Sequence, residues 1–185
     1  MVKNTNEIGG NQMTSEVYQK GKRAKAASYV LNIKTTCEKN DALTKIAEQL
    51  LIDQEILISE NLKDLANGKE KGMPTSTLDR IMLNKERITA MADAIHLLVK
   101  LNDPVGTTLE HIEKDNGLLI EKRMVPIGVI GMIYEARPNV TVDAATLSLK
   151  TGNAVLLRGS SSAKFSNIAL VSSIHRALEK TSIPV

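Results

Sequence analysis

Aromatic residues and cysteine are both scarce in this sequence. Its 185 residues include three Tyr, one Phe and no Trp, and the formal net charge is only +3. A chain with so few stacking side chains and so little excess positive charge is a poor candidate for binding nucleic acid. The single cysteine, Cys37, cannot form an internal disulfide, which fits a reducing compartment such as the cytoplasm. The three histidines are scattered without spacing that groups them with carboxylates or Cys37, so we expect no metal site.

Long apolar runs are also absent. The longest run, residues 125–134, is about half of the roughly 20 residues that a membrane-spanning helix needs, and it contains a proline and two glycines. The first sixteen residues lack the apolar centre of a signal peptide, and we interpret residues 1–13 as a disordered tail. We therefore expect no membrane segment and a cytoplasmic location. The hydrophobic fraction of 42% and charged fraction of 24% are those of an ordinary globular protein.

Helical spacing of apolar residues dominates residues 14–106. It predicts a first amphipathic helix from Thr14 to about Thr36, and a second helix that begins after Asp41 as N-cap. A third helix should end before Gly68, with a loop from there to Pro74. A short helix over residues 75–83 and a longer one capped by Asn84 complete this helical part.

After Gly106 the apolar period changes from about 3.6 to 2 residues. Residues 107–124 should form a β-hairpin with Asn116-Gly117 at the centre of its turn. Residues 125–133 form a nearly continuous apolar run, typical of a strand buried on both faces. A helix from Pro138 to Gly152, a strand over residues 154–157 and a helix over residues 164–180 would complete a strand-helix-strand-helix unit. The pattern predicts an α/β fold with a parallel sheet over residues 125–185.

Polar residues follow both predicted parallel strands, where α/β sheets place their ligands. Arg158, Gly159, Ser160 and Ser161 could bind phosphate, although a solvent-exposed loop is an equally good interpretation of these residues alone.

The segment after the first parallel strand offers two more candidates. Arg137 could pair with a carboxylate or phosphate, and Asn139 could donate to a developing oxyanion or simply cap the helix. We expect Asp143 to face solvent or Lys150. Cys37 has no histidine or glycine-rich context nearby, so we do not interpret it as a nucleophile.

One continuous segment, residues 125–141 (VPIGVIGMIYEARPNVT), closely resembles the signature of the γ-glutamyl phosphate reductase family within the aldehyde dehydrogenase superfamily. The likeness continues through residues 143–145 and 150–159, and earlier through residues 21–25, 78–80 and 103–106. The resemblance implies an aldehyde-dehydrogenase-like cofactor-binding domain, present only in its amino-terminal part. It also implies NADPH-dependent reduction of L-glutamyl 5-phosphate to glutamate 5-semialdehyde and phosphate, a step of proline biosynthesis.

The resemblance also implies roles for residues of this chain. Asn139 would form part of the oxyanion hole, and Arg158 would contact the adenosine ribose. Ser161 stands where many NAD-preferring relatives have a glutamate. With serine at this position, no carboxylate would repel the 2′-phosphate of NADPH. The implied cofactor contacts are Ile133, Tyr134, Glu135, Arg158, Gly159, Ser160 and Ser161, and the implied substrate contacts are Arg137 and Asn139.

Further implications concern partners and completeness. The hairpin resembles the superfamily's oligomerisation arm, which implies a homo-oligomer, and the family implies a functional contact with glutamate 5-kinase. Ser160 and Ser162 depart from the Gly and Glu that close relatives usually carry. The family's nucleophilic cysteine belongs to a catalytic domain beyond Val185, so we expect the chain alone to lack reductase activity. Two alternatives are a truncated, non-catalytic module that binds nucleotide or pairs with full-length subunits, and another acyl-phosphate or aldehyde dehydrogenase.

Overall fold

The computed structural model describes residues 11–185, with side chains described from residue 16 onward. The predicted tail therefore lies outside the described residues, apart from its last three, which begin the first helix. The described residues form helices and strands in this order: α1 (Asn11–Asn32), α2 (Thr36–Ile52), α3 (Gln54–Glu70), α4 (Thr75–Ile81), α5 (Lys85–Lys100), β1 (Thr108–Glu113), β2 (Leu119–Arg123), β3 (Val129–Ile133), α6 (Pro138–Lys150), β4 (Ala154–Arg158), a 3-10 turn (Ser161–Ala163) and α7 (Lys164–Leu178).

The break between α1 and α2 lies earlier than predicted. Thr35 is the N-cap of α2: its side chain accepts a hydrogen bond from the Glu38 backbone N–H, and the Glu38 carboxylate accepts one from the Thr35 backbone N–H. This reciprocal pair satisfies two N–H groups that a helix end leaves without partners. The predicted start after Asp41 is therefore wrong, because the N-cap Thr35 lies within the residues that apolar spacing assigned to the first helix.

The end of α3 also differs from the prediction. The helix continues through Gly68 to Glu70, so the predicted loop from Gly68 begins too early. Gly68 is buried inside the helix and lies against Leu78 of α4. The predicted cap of α5 is confirmed, since the Asn84 side chain accepts a hydrogen bond from the Arg87 backbone N–H at 2.9 Å.

Strands β1 and β2 form the predicted antiparallel hairpin, with Ile112 opposite Ile120. The turn is centred one residue earlier than predicted. The Gly117 N–H donates to the Lys114 carbonyl, and Gly117 itself has a φ of +83°. This places Asp115 and Asn116 in the turn and Gly117 after it, in the left-handed conformation that glycine adopts without steric cost. Every residue of both strands is exposed.

Strands β3 and β4 pair in parallel, and helix α6 connects them. The predicted strand over residues 125–133 is shorter than expected and is only partly buried. Its last residue, Ile133, is 86% exposed. Among the described residues only β4 pairs with β3, so its faces are not covered as they would be inside a larger sheet. Helix α6 ends just before Gly152, as predicted.

One apolar cluster joins the helical part to the strand-helix-strand-helix unit. Its fully buried members include Leu43 of α2, Ile88 of α5, Val142 of α6 and Leu170 of α7. Burying one such side chain contributes about 1.5–3 kcal/mol. Helix α1 packs against both β3 and β4, so the sheet is held by helices from both parts of the chain.

Candidate active site

The predicted site residues lie at the carboxyl edge of the parallel strand pair. Ile133 and Arg158, the last residues of β3 and β4, are register partners, and the Tyr134 N–H donates to the Arg158 carbonyl at 3.2 Å. Asn139 lies in the first turn of α6, which begins after a short loop from β3. The two segments predicted to bind the cofactor and the substrate are therefore adjacent at one end of the sheet.

Arg158 is exposed and forms no hydrogen bond or ion pair through its side chain with any described residue. The loop after it contains no acid but has three serines, of which Ser160 accepts a hydrogen bond through its Oγ from the Ser162 N–H. The guanidinium is thus available to an anion. Its charge is not offset by a carboxylate of its own loop.

The N-terminus of α7, unlike the Arg158 guanidinium, is not available to bind an anion. Asp64 of α3 accepts hydrogen bonds from the backbone N–H groups of Phe165 and Ser166, and also from the Ser166 hydroxyl. An anion at this helix end would compete with a buried carboxylate that already caps it. Any phosphate bound here would have to be held by the Arg158 side chain and the loop.

A partly buried hydrogen-bond chain lies at the start of this loop. The Tyr134 hydroxyl and the Thr141 hydroxyl are 2.7 Å apart, and Thr141 donates to the Asn167 Oδ1 at 2.9 Å. Gly159 lies against the same groups: a Cβ built at Gly159 would be 2.3 Å from the Asn167 Nδ2 and 3.0 Å from the Tyr134 hydroxyl. The loop approaches Tyr134 and α7 so closely that a side chain at residue 159 would require Asn167 to move.

Asn139 does not cap α6, so that alternative is wrong. The helix begins at Pro138 and its N-cap is Arg137, which makes no capping hydrogen bond through its side chain. The exposed Asn139 amide donates a long hydrogen bond of 3.4 Å to the Asp143 carboxylate one turn later. Asp143 is half-buried, and this burial raises its pKa. Of the two surroundings expected for Asp143, solvent or Lys150, the second is wrong, because Lys150 donates to the Asn40 Oδ1 and the Val99 carbonyl.

A cleft of about 400 Å³ opens beside Asn139. One wall is the start of α6, with Pro138, Asn139 and Asp143. The opposite wall comes from the end of α4, the connection after it and α5; its residues are Arg80, Met82, Leu83, Arg87, Ala90, Met91 and Ala94.

The cleft separates the predicted substrate contacts. Asn139 lines it, whereas Arg137 is exposed and lies outside its lining. Arg80, Arg87 and Asp143 line it without having been predicted as site residues. The sequence offered only one hint of Arg80, which lies in a segment with family likeness.

Cys37 lies far from this edge. It is exposed near the start of α2, and its neighbour Asn40 contacts Lys150 at the far end of α6 from Asn139. A helix of 13 residues is about 20 Å long. Cys37 therefore lies near the end of α6 that is opposite to Asn139.

Within residues 11–185, no helix is both long and apolar enough to cross a membrane. The same residues hold no cluster of three or more His, Cys, Asp or Glu side chains that could bind a metal ion.

No protein-family model matches the chain. It is 58% identical over 171 residues to γ-glutamyl phosphate reductase of Bacillus subtilis, an alignment that covers 92% of this chain and 41% of the relative. The structure matches the crystal structure of γ-glutamyl phosphate reductase from Thermotoga maritima with a TM-score of 0.90 and 44% identity, over 91% of this chain and 41% of that one.

A more distant match extends the likeness of fold. A probable aldehyde dehydrogenase from Listeria monocytogenes aligns with a TM-score of 0.68 and 17% identity, over 92% of this chain and 35% of that one. The chain thus spans about two fifths of the length of the reductases that it matches. Sequence and structure together confirm the resemblance: this chain corresponds to the amino-terminal part of the γ-glutamyl phosphate reductases, enzymes with the aldehyde dehydrogenase fold.

Proposed function

We propose that the complete protein carrying this sequence reduces L-glutamyl 5-phosphate with NADPH to L-glutamate 5-semialdehyde and phosphate, as a step of proline biosynthesis. The observation that carries the proposal is the placement of Asn139 and Arg158 at the same edge of the parallel strand pair. Similarity to γ-glutamyl phosphate reductases over most of the chain supports the substrate.

Arg158 and the serines that follow it suit NADPH, which carries a 2′-phosphate that NADH lacks. Arg158 would pair with the 2′-phosphate, and Ser160 and Ser161 would donate hydroxyl hydrogen bonds nearby. Ile133, Tyr134, Glu135 and Gly159 would shape the rest of the cofactor contact. When bound, NADPH supplies the hydride. We expect a preference for NADPH because the Arg158 guanidinium has no acidic partner among the described residues and its loop contains no acid.

Asn139 would act on the reacting carbonyl. In the proposed reaction a cysteine thiolate attacks the acyl carbon, the carbon–oxygen bond to phosphate breaks, and hydride then reduces the thioester carbon as the carbon–sulfur bond breaks. The Asn139 amide would donate to the carbonyl oxygen as negative charge develops there. Arg137 would pair with the phosphate group of the substrate.

The thiolate would come from a part of the complete protein outside this chain, because Cys37 lies at the other end of α6 from Asn139. We expect the 185-residue chain alone to show no turnover. We also expect the Cys37→Ser variant of the complete protein to keep full activity. Turnover by the isolated chain, or loss of activity in Cys37→Ser with normal folding, would contradict the assignment.

The cofactor preference can be tested by exchanging one charge. Arg158→Glu in the complete protein should weaken NADPH binding much more than NADH binding, because the new carboxylate repels the 2′-phosphate that only NADPH carries. Fluorescence titration with both cofactors measures this. Equal losses would remove the assigned role of Arg158.

The hairpin is proposed to mediate self-association by extending a sheet of a second subunit. Its exposed pair Ile112 and Ile120 lies side by side on one face. Replacing both with Asp should reduce the subunit number measured by sedimentation, whereas His111→Ala on the other face should not. An unchanged subunit number in the double variant would contradict this role. A cytoplasmic location and a functional contact with glutamate 5-kinase complete the proposal.

A further inference from the structure

The cleft beside Asn139 contains two charges that have no partner of opposite sign among the described residues. Arg80, in the last turn of α4, forms no hydrogen bond or ion pair through its side chain within residues 16–185. The adjacent acid, Asp79, is already paired with Arg87 at 2.9 Å. Arg87 also donates to the Met82 carbonyl at 3.0 Å, which fixes the end of α4 and so the wall that carries Arg80.

Asp143 is the corresponding charge on the opposite wall. Its carboxylate is half-buried, and its one side-chain partner in the described part of the chain is the Asn139 amide, at the long distance of 3.4 Å. A partly desolvated carboxylate without a cation is stabilised when a positively charged group enters beside it.

Apolar groups of Met82, Leu83 and Met91 also line the cleft. They suit a short methylene chain between polar ends. The cleft thus offers one cation that is unpaired among the described residues, Arg80, together with one anion and an apolar surface, with the Asn139 amide at its edge. These are complementary to an α-amino acid with an aliphatic side chain.

We propose that Arg80 and Asp143 bind the α-carboxylate and the α-ammonium group of the glutamyl substrate, respectively. The proposal rests on the proposed function, since it places the substrate carbonyl at Asn139. The two anionic groups of the substrate would then bind different arginines. Arg80 would bind the α-carboxylate inside the cleft, and Arg137 remains the proposed partner of the phosphate outside it. The two cleft residues would then determine selectivity for an amino acid semialdehyde over simple aldehydes.

The test uses the reverse reaction of the complete protein, in which an aldehyde, phosphate and NADP⁺ give an acyl phosphate, NADPH and a proton. Three aldehydes are compared: glutamate 5-semialdehyde, 5-oxopentanoate, which lacks the α-ammonium group, and 4-aminobutanal, which lacks the α-carboxylate. Each is assayed with the unmodified enzyme, Arg80→Ala and Asp143→Asn.

We expect Arg80→Ala to lower kcat/KM about tenfold to a hundredfold for the two aldehydes that have a carboxylate, and to change it little for 4-aminobutanal. Asp143→Asn should lower it for the two aldehydes that have an ammonium group and spare 5-oxopentanoate. Most of each loss should be an increase in KM. The matched controls Lys71→Ala and Asp93→Asn, both at exposed positions outside the cleft lining, should leave all three values unchanged.

A loss that is equal for all three aldehydes, or no loss at all, would overturn the proposal while the unmodified enzyme still shows phosphate-dependent NADP⁺ reduction. NADPH binding by each variant, measured separately, shows whether a uniform loss comes from misfolding; a properly folded variant with a uniform loss refutes selective recognition. If the unmodified enzyme does not reduce NADP⁺ with glutamate 5-semialdehyde and phosphate, the proposed function fails, and this proposal fails with it.

Discussion

Replacing Gly159 with alanine should disrupt the start of the proposed cofactor loop. The added Cβ would be 2.3 Å from the Asn167 Nδ2, a distance at which two atoms cannot coexist, and 3.0 Å from the Tyr134 hydroxyl. Asn167 would have to move, and its Oδ1 would then lose the hydrogen bond from the fully buried Thr141 hydroxyl. The clash therefore spreads to the chain that ties β3 to α6 and α7.

The cost has two parts. Overpacking a well-filled site costs about 1–3 kcal/mol. Losing the hydrogen bond between Thr141 and Asn167 costs about 0.5–1.5 kcal/mol more, because the Thr141 hydroxyl keeps the Tyr134 hydroxyl as a partner. We therefore expect Gly159→Ala to lower the free energy of unfolding by roughly 1.5–4.5 kcal/mol, and to weaken NADPH binding because Arg158 precedes the displaced residue.

Denaturant unfolding of the complete protein measures this against a matched substitution. Gly21→Ala in α1 adds the same methyl group where no atom lies within 4 Å, so it should be neutral or stabilising. In an Asn167→Ala background, which removes the clashing amide, Gly159→Ala should cost only about 1 kcal/mol or less. A Gly159→Ala variant as stable as Gly21→Ala, or one with the same cost in both backgrounds, would refute the packing explanation.

Three further predictions concern the core, its pH dependence and the reaction. Asn61→Ala should destabilise the protein by roughly 1–3 kcal/mol in urea unfolding, because the Leu83 N–H that donates to its Oδ1 at 2.7 Å would stay buried without a partner. Burial acts to raise the pKa of Asp53, but hydrogen bonds from Arg176 and a neighbouring serine outweigh it and lower the pKa below its ordinary value of 3.8. Asp53 thus contributes stability at neutral pH that is lost as pH falls below 3.8 through the folded-state pKa, so the stability difference from Asp53→Asn should shrink over that range. Asn139→Ala should lower kcat about 10²–10³-fold while NADPH affinity stays unchanged in a fluorescence titration.

Each of these has a matched comparison. Asn67→Ala, at an exposed position of the same helix as Asn61, should change stability by less than about 0.5 kcal/mol. Asp93→Asn, also exposed, should not alter the acid limb of the stability curve. An Asn139→Ala variant that loses cofactor affinity as much as turnover would contradict a role limited to the reacting carbonyl.

Capping and turn residues predicted those elements whose ends are fixed by short-range hydrogen bonds. Asn84 was predicted as a cap and is one, and Asp115-Asn116-Gly117 predicted the hairpin, although the turn is centred one residue earlier. Apolar spacing alone does not predict the start of α2, because the apolar pattern continues up to the Thr35–Glu38 capping box that ends the connection between the two helices.

The cleft could not have been predicted in this way. Arg80 and Asp143 are far apart in the sequence, and they line one cleft because α5, which forms a wall together with the end of α4, packs against α6. No spacing rule links residues whose proximity depends on how two helices pack. The edge of the sheet was predictable for the opposite reason, since parallel strands connected by one helix must end on the same side.

Helix α6 determines how the two ligand sites are related. Its first turn carries Asn139 between the edge with Arg158 and the cleft with Arg80. Its last residue, Lys150, is buried and is held by the Asn40 side chain and the Val99 carbonyl. A helix anchored at one end and packed along its length cannot shift its other end independently of the core. The distance between the proposed cofactor and the proposed amino acid contacts is therefore set by the packing of α6, and a nucleophile from elsewhere in the complete protein would have to approach the first turn of this helix.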